Sequence, residues 1–381
     1  MKIAVYYNLT NGGADRAFFE ILKRLVKKHK IDIYTLDTQK NKRKLLLDRL
    51  PVKYFRFKIY LPGNFFLFQL FIYTKLIKLQ KQIAQIINSR NYDVVLLSDD
   101  YITRTPLILR FLKINSLYFC QTHYREFYDP FSIFSHSLKY KIVNFLRLPL
   151  KWLDKKSFKL ASLVVTNSKY TQNRLTKIHQ RKIYRLNLGV EIKNNKIEDL
   201  DRENFFLTVG SLTIFKGIVF LIRSLSLLPL KERYPLVIVA NGGQDEKYIK
   251  SLADKLDVKL EIKKGIWKGL EDKRLIKLYN KAKLFLYAPY YEPFGLVVLE
   301  AMACGLAVVG VREGGLKETI IEAKNGWLAP RDPKKFAFKI SQALAMVDNK
   351  FRRQTCNLVK KWNWEQTTIM LEQLLIKTKQ L

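Results

Sequence analysis

Residues 284–310 read LFLYAPYYEPFGLVVLEAMACGLAVVG. The first five form a short apolar run of strand length. Pro289 ends that run, because proline has no N–H to give to a ladder. Glu292-Pro293-Phe294-Gly295 has the composition of a turn. From Leu296 to Ala303 the apolar residues take helical spacing, and Gly305 stops the helix. Glu292 is therefore expected in the loop and Glu300 about two turns into the helix, at i and i+8.

That arrangement has a chemistry. The helix opens at Phe294, Gly295 and Leu296 with backbone N–H groups that have no partner inside the helix and with the positive end of its dipole, which attracts phosphate. Carboxylates repel phosphate but accept hydrogen bonds from hydroxyls. A ligand with a diphosphate and several hydroxyls is a nucleotide-sugar. The spacing alone also fits a plain strand–helix connection, with Glu292 solvated and Glu300 on the outer helix face.

Glu292 and Glu300 resemble the E-x7-E element of the retaining glycosyltransferases of family 4. The flanks APYYEPFGLVVLEAMACGLAVVG, REGGLKE and NGWLAP are similar to that family as well. The likeness runs through nearly the whole chain and is weakest at residues 35–90. It implies an α/β protein of GT-B architecture, with two Rossmann-like domains facing across a cleft and a C-terminal helix returning to the first. The expected division is an acceptor-side domain at 1–190, a linker at 191–204, a nucleotide-sugar domain at 205–360 and the helix at 361–381.

Length and composition agree. A chain of 381 residues with 48% hydrophobic content can bury two cores. Three scattered cysteines argue for a reducing compartment without a disulfide frame. The sequence opens on a strand with no signal-peptide pattern, so a cytoplasmic location is expected. The 69 Lys and Arg against 33 acids leave a net charge of +36. Residues 1–200 hold 38 basic and 14 acidic residues. Such a field fits a polyanionic neighbour such as anionic lipid, nucleic acid or acidic glycan. A lysine-rich proteome with no specific partner fits it too.

In the first half, Asn11-Gly12-Gly13-Ala14-Asp15 is a glycine turn entering a helix at about 14–29. It stands where family 4 has its GG-A-E/D-R element, so the resemblance makes Gly12 and Gly13 candidates to line the donor diphosphate. Residues 61–73, LPGNFFLFQLFIY, are too short to span a bilayer, which takes about 20 residues. They fit either an interfacial segment followed by Lys75, Lys78 and Lys81 or a helix in the core. The basic stretch 139–160 interleaves Phe145, Leu148, Leu150 and Trp152, and fits a membrane-facing or a solvated helix. Asp99-Asp100 has no third ligand of the right type nearby, so no metal site is expected.

His123 lies just past a strand end, where open α/β sheets bind ligands. The resemblance gives it a contact with the transferred sugar, while Tyr124 replaces the acid usual after it. In the second half, Lys216 matches the Lys of the family's G-R-L…K-G loop and Ser211 replaces its Arg. Residues 260–266, ending in Gly265-Ile266, resemble the segment that holds the base. The C-terminal Trp362-Asn363-Trp364-Glu365 resembles the family's end.

The expected activity is retaining transfer of a sugar, of hexosyltransferase type, from a nucleotide diphosphate sugar (UDP or GDP) to a hydroxyl of a lipid-linked or glycan acceptor. His123, Lys216 and Glu292 would be catalytic. Gly12, Gly13, Ile266, Phe294, Gly295, Leu296 and Glu300 would bind the donor. No metal or cofactor is expected beyond the donor. The partners expected are donor, acceptor and an anionic membrane surface on the inner face of the cytoplasmic membrane, and no nucleic acid. Two other readings remain: a GT-B epimerase or phosphorylase acting on the same donor, and a non-enzymatic basic module. Base, sugar, acceptor, linkage and oligomeric state are not legible.

Overall fold

The computed structural model describes residues 1–10, 12–38, 46–129, 147–191, 202–266 and 272–381. The chain forms two compact units. One comprises Met1–Leu188 with Trp364–Leu381, and the other Gly189–Asn363. Most of the expected linker, and the first part of the basic stretch 139–160, lie outside the described residues.

The first unit is a seven-stranded parallel sheet. Its strands are β1 Lys2–Asn8, β2 Lys30–Thr38, β3 Lys53–Ile59, β4 Val94–Asp100, β5 Ser116–Phe119, β6 Leu163–Thr166 and β7 Tyr184–Arg185, in spatial order β3-β2-β1-β4-β5-β6-β7. The central strands are near-continuous apolar runs because helices cover both faces. Ile3 to Tyr7 and Val94 to Leu97 are fully buried. The opening helix Gly13–Leu25 seats Ala17, Phe18, Ile21, Leu22 and Leu25 in the core at helical spacing. The C-terminal helix Trp364–Lys379 packs on this unit, as expected. Glu365 pairs with Arg24 Nε at 2.8 Å, and Glu372 meets His29 Nε2 at 2.8 Å.

The pair Asp99-Asp100 closes β4. Both side chains are buried, and protein donors occupy them. Tyr118 Oη and the Gln121 N–H donate to Asp99 at 2.8 and 3.0 Å. Tyr6 Oη and the N–H groups of Ile102 and Thr103 donate to Asp100 at 3.0, 2.8 and 3.1 Å. Burial pushes the Asp99 carboxyl up to about 7, against the pull of those hydrogen bonds.

The apolar stretch 61–73 resolves into two faces. A helix at Phe65–Phe71 runs through a wide turn at Ile72–Leu76 into a helix at Ile77–Asn88. Phe71, Ile72 and Leu76 are buried, and Phe68 packs on the same cluster. Phe66, Leu67 and Leu70 face outward. No helix among the described residues is long and apolar enough to cross a membrane.

The second unit is a six-stranded parallel sheet. Its strands are β8 Phe206–Val209, β9 Leu236–Val239, β10 Leu260–Lys263, β11 Leu284–Tyr287, β12 Val308–Val311 and β13 Gly326–Ala329, in order β10-β9-β8-β11-β12-β13. The strand order reverses between β8 and β11. Ligands of such sheets bind beyond the carboxyl ends of the strands at that point. The helix after β11 spans Leu296–Ala303, and Gly305 ends it at φ +66°. Glu300 stands one turn inside this helix, closer to its start than the spacing suggested.

Candidate donor site and companion site

The loops that leave β8 and β11 carry the two charged groups singled out by sequence. Lys216 ends a short turn, Ile214–Lys216, and Glu292 stands five residues past β11. Lys216 Nζ lies 3.0 Å from Glu292 Oε2, so one ion pair spans the switch point of the sheet. Both side chains are partly exposed, 31% and 19%.

Backbone contacts hold this pair. Tyr290 N–H donates to the Phe215 carbonyl at 2.9 Å, and Gly315 N–H donates to the Glu292 carbonyl at 2.8 Å. Asp245 Oδ2 accepts from Ile214 N–H at 2.8 Å. Gly217 sits at φ +68°, and a Cβ there would lie 1.8 Å from the Ala288 carbonyl oxygen. Only glycine lets the Lys216 loop come this close to the end of β11. Gly315 does the same on the other side, where a Cβ would lie 2.3 Å from the Pro293 carbonyl.

Arg331, just past β13, went unnoticed in the sequence. It donates to the carbonyls of Ala288 and Pro289 at 2.9 and 2.8 Å, pairs with Glu313 at 2.7 Å, and lies 3.8 Å over the Tyr290 ring. It clamps the chain where it leaves β11. A basic residue immediately after a strand end was the one available signal.

Phe294 and Leu296 turn their side chains inward. Phe294 packs edge-on against Trp362, with ring centroids 5.4 Å apart. What they and Gly295 can offer a ligand is backbone N–H. No side chain caps Gly295 at the helix start, so the positive dipole end is not neutralised there by a cap. Glu300 is only 1% exposed, and Tyr279 Oη donates to its Oε2 at 3.2 Å. Tyr287 feels both glutamates. Burial first, then Glu292, then Glu300 hold its hydroxyl well above its ordinary range. Ser211 Oγ lies 3.3 Å from Thr213 Oγ1. Ile266 is buried, and the preceding Gly265 carbonyl accepts from Arg274 at 2.8 Å. Residues 267–271 lie outside the description.

The first unit gathers its own cluster at the carboxyl ends of β1, β4, β5 and β6. Gln121 ties it together. Its N–H donates to Asp99, its Nε2 donates to the Ala14 carbonyl at 2.9 Å, and its carbonyl accepts from Asn167 at 3.0 Å. The Gly12-Gly13 helix start is thereby joined to the loop that carries His123. Gly12 is extended at φ 168°, and the nearest atom to an added Cβ is 3.9 Å away. Its backbone conformation does not demand glycine. Asp15 is buried in the first turn of that helix and accepts from Tyr7 Oη at 2.5 Å. Burial, opposed by that hydrogen bond, pushes its carboxyl up to about 6. The helix start expected to favour phosphate already holds a carboxyl of its own.

His123 is buried, with Nε2 2.5 Å from Asp129 Oδ1. Arg125 and Arg174 each reach Asp129 at 2.9 Å. Burial raises the Asp129 carboxyl, but hydrogen bonding and charge from His123 and Arg125 outweigh it and hold the group at about 2. The carboxylate that meets His123 stands six residues after it, at Asp129, a pairing that linear spacing could not show. With Nε2 engaged, His123 has Nδ1 left for another partner.

Two parallel-sheet α/β units, each with charged or glycine-rich loops at its strand ends, have the architecture of the GT-B type. The sequence matches the family described as Glycosyltransferase Family 4 over residues 11–194 and that described as Glycosyl transferases group 1 over residues 190–361. The chain belongs to this glycosyltransferase family. Uncharacterized glycosyltransferase MJ1607 of Methanocaldococcus jannaschii is 35% identical over 181 residues, 46% of this chain and 45% of its own length. The chain thus spans less than half of that relative. Alpha-1,3/1,6-mannosyltransferase ALG2 of Saccharomyces cerevisiae is 26% identical over 417 residues, 94% of this chain and 80% of its own length. Among solved structures, Anabaena HepE in complex with UDP shares the fold, with a TM-score of 0.72 at 18% identity over 99% of this chain and 100% of that one.

Proposed function

We propose that this protein is a retaining hexosyltransferase. It moves a sugar from a nucleoside diphosphate sugar to a hydroxyl of a lipid-linked or glycan acceptor. The observation that carries the reading is the Lys216–Glu292 pair across the β8–β11 switch point, 3.0 Å apart, beside an uncapped helix start.

The two members of the pair have different uses. When a donor enters, Lys216 turns to the diphosphate and Glu292 is released to accept hydrogen bonds from the sugar hydroxyls. The N–H groups of residues 294–296 add positive potential where negative charge grows on the departing phosphate. Lysine and helix start together supply the neutralising charge without a metal. Glu300 accepts from the ribose hydroxyls, exchanging its Tyr279 partner for them. The departing diphosphate takes the acceptor's proton on the same face of the sugar, so the anomeric configuration is kept. The naming of a UDP complex for the Anabaena structure and of a mannosyltransferase for the yeast relative supports a nucleotide-sugar donor carrying a hexose.

A thermal-shift screen with UDP, GDP and ADP and their sugars tests the donor half, since a ligand that binds only the folded chain raises its melting point. One nucleotide series is expected to raise it, and no response to any of them contradicts the reading. In the responding series, Glu300→Ala is expected to weaken binding by about 1.5–3 kcal/mol for each charge-assisted hydrogen bond lost. Calorimetry giving unchanged affinity in a folded Glu300→Ala protein removes Glu300 from the ribose.

A further inference from the structure

We propose that the first unit docks on an anionic lipid surface. The contact face is the tip of the helical arm 65–88 together with the outer side of the helix Leu148–Leu160. This rests on the proposed reading only for the lipid-linked acceptor it would serve, because the surface itself is independent of donor chemistry.

The arm is apolar at one end and basic along its length. At its start Phe66, Leu67 and Leu70 are 67%, 58% and 60% exposed. Their neighbours Phe71 and Ile72 are buried, so the arm is anchored in the core while its tip faces solvent. Further along the exposed side stand Lys75, Lys78 and Lys81. At 1.5 Å per residue, the apolar tip and the last of these lysines are about 22 Å apart. A tip that sinks to the headgroup–acyl boundary leaves the lysines at the level of lipid phosphates.

The helix Leu148–Leu160 extends the same surface. Leu150, Leu153 and Phe158 of this helix lie in the same buried cluster as Phe71, Ile72 and Leu76 of the arm, so the arm shares one core with this helix. Its outer side carries exposed Leu148 and Trp152, with Lys156 Nζ 3.8 Å over the Trp152 ring and Lys155 and Lys159 beside it. An amphipathic ring under a lysine suits the water–lipid boundary. Charge complementarity selects an anionic layer. The exposed aliphatic side chains Leu67, Leu70 and Leu148 favour lipid over nucleic acid, since they offer nothing to bases or phosphates.

The test is sedimentation of the full chain with phosphatidylcholine vesicles, with and without phosphatidylglycerol. Binding is expected to be at least tenfold stronger on the anionic vesicles and partly released by salt. Phe66→Ser with Leu67→Ser and Leu70→Ser should lower partitioning on anionic vesicles by tenfold or more at high salt. Lys75→Gln with Lys78→Gln and Lys81→Gln should lower it by tenfold or more at low salt only. All six side chains are exposed, so melting temperature and donor hydrolysis without vesicles should stay unchanged. That hydrolysis separates failure of docking from failure of the catalytic reading. Independently of any apolar variant, brominated lipid should quench the wild-type tryptophan fluorescence, and Trp152→Phe should remove that part of the quenching. Equal binding to neutral and anionic vesicles, full high-salt binding by the serine variant, unquenched Trp152, or capture of single-stranded RNA in place of vesicles would each overturn the proposal.

Discussion

Lys216→Ala is expected to lower kcat by about 10²–10³, the loss typical of removing one fixed electrostatic donor from a transition state. Ser211 is uncharged and Lys216 is the one basic residue in the sequence of residues 210–217, so the lysine carries the charge of the β8 turn. The variant has a second consequence. Lys216 Nζ is the partner of Glu292 Oε2 at 3.0 Å, and its removal leaves a carboxylate facing the incoming diphosphate. Donor affinity should therefore fall together with kcat. Adding Glu292→Gln should recover donor affinity while kcat stays low, because residues that share a contact couple non-additively. Steady-state kinetics and calorimetry on the two single variants and the double variant decide this. Additive losses in donor affinity would mean that the ion pair has no part in admitting the donor.

Gly217→Ala is expected to destabilise the second unit by about 2–5 kcal/mol. The left-handed conformation at φ +68° costs a non-glycine residue about 1–2 kcal/mol. The Cβ would meet the Ala288 carbonyl at 1.8 Å, and overpacking of this kind adds about 1–3 kcal/mol. Gly265 is the internal control. It also has a left-handed backbone, φ +76°, but among the described residues nothing lies within 4 Å of an added Cβ. Gly265→Ala should cost only the backbone part, about 1–2 kcal/mol. Urea unfolding of both variants measures the difference. Gly217→Ala should also lose turnover in the fraction that stays folded, because its Lys216 loop can no longer rest on β11. Equal destabilisation in the two variants would show that the close approach does not hold the loop.

The local elements of the site were legible, and its assembly was not. Residues 284–305 announce strand, loop and helix through apolar spacing, Pro289 and Gly305, and those signals are local. That Lys216 reaches Glu292 depends on β8 lying beside β11, and parallel strands far apart in sequence carry no local mark of their order. The glycines at 217 and 315 look like turn residues in the sequence, yet their role is backbone contact between loops. Asp129 was missed because the acid was sought next to His123, whereas the short helix Arg125–Tyr128 brings it back from six residues on. The apolar stretch 61–73 was ambiguous because Phe66, Leu67 and Leu70 have the same composition as the core-facing Phe71 and Ile72, and only packing tells the faces apart. Its sharp change to lysines after Thr74 was visible, and it marks where the tip gives way to the basic shaft.

Lys216 and Glu292 are proposed to transfer a sugar from a nucleoside diphosphate donor with retained configuration. Proton NMR of the purified protein with the donor that raises its melting point, followed from the first minutes of turnover, tests it most directly. The expected result is release of the nucleoside diphosphate together with a sugar product whose first-formed anomer matches the donor, and no such signal from Lys216→Ala. A first-formed anomer of opposite configuration, an isomerised sugar still attached to its nucleotide, or a sugar phosphate in place of free or transferred sugar would contradict it.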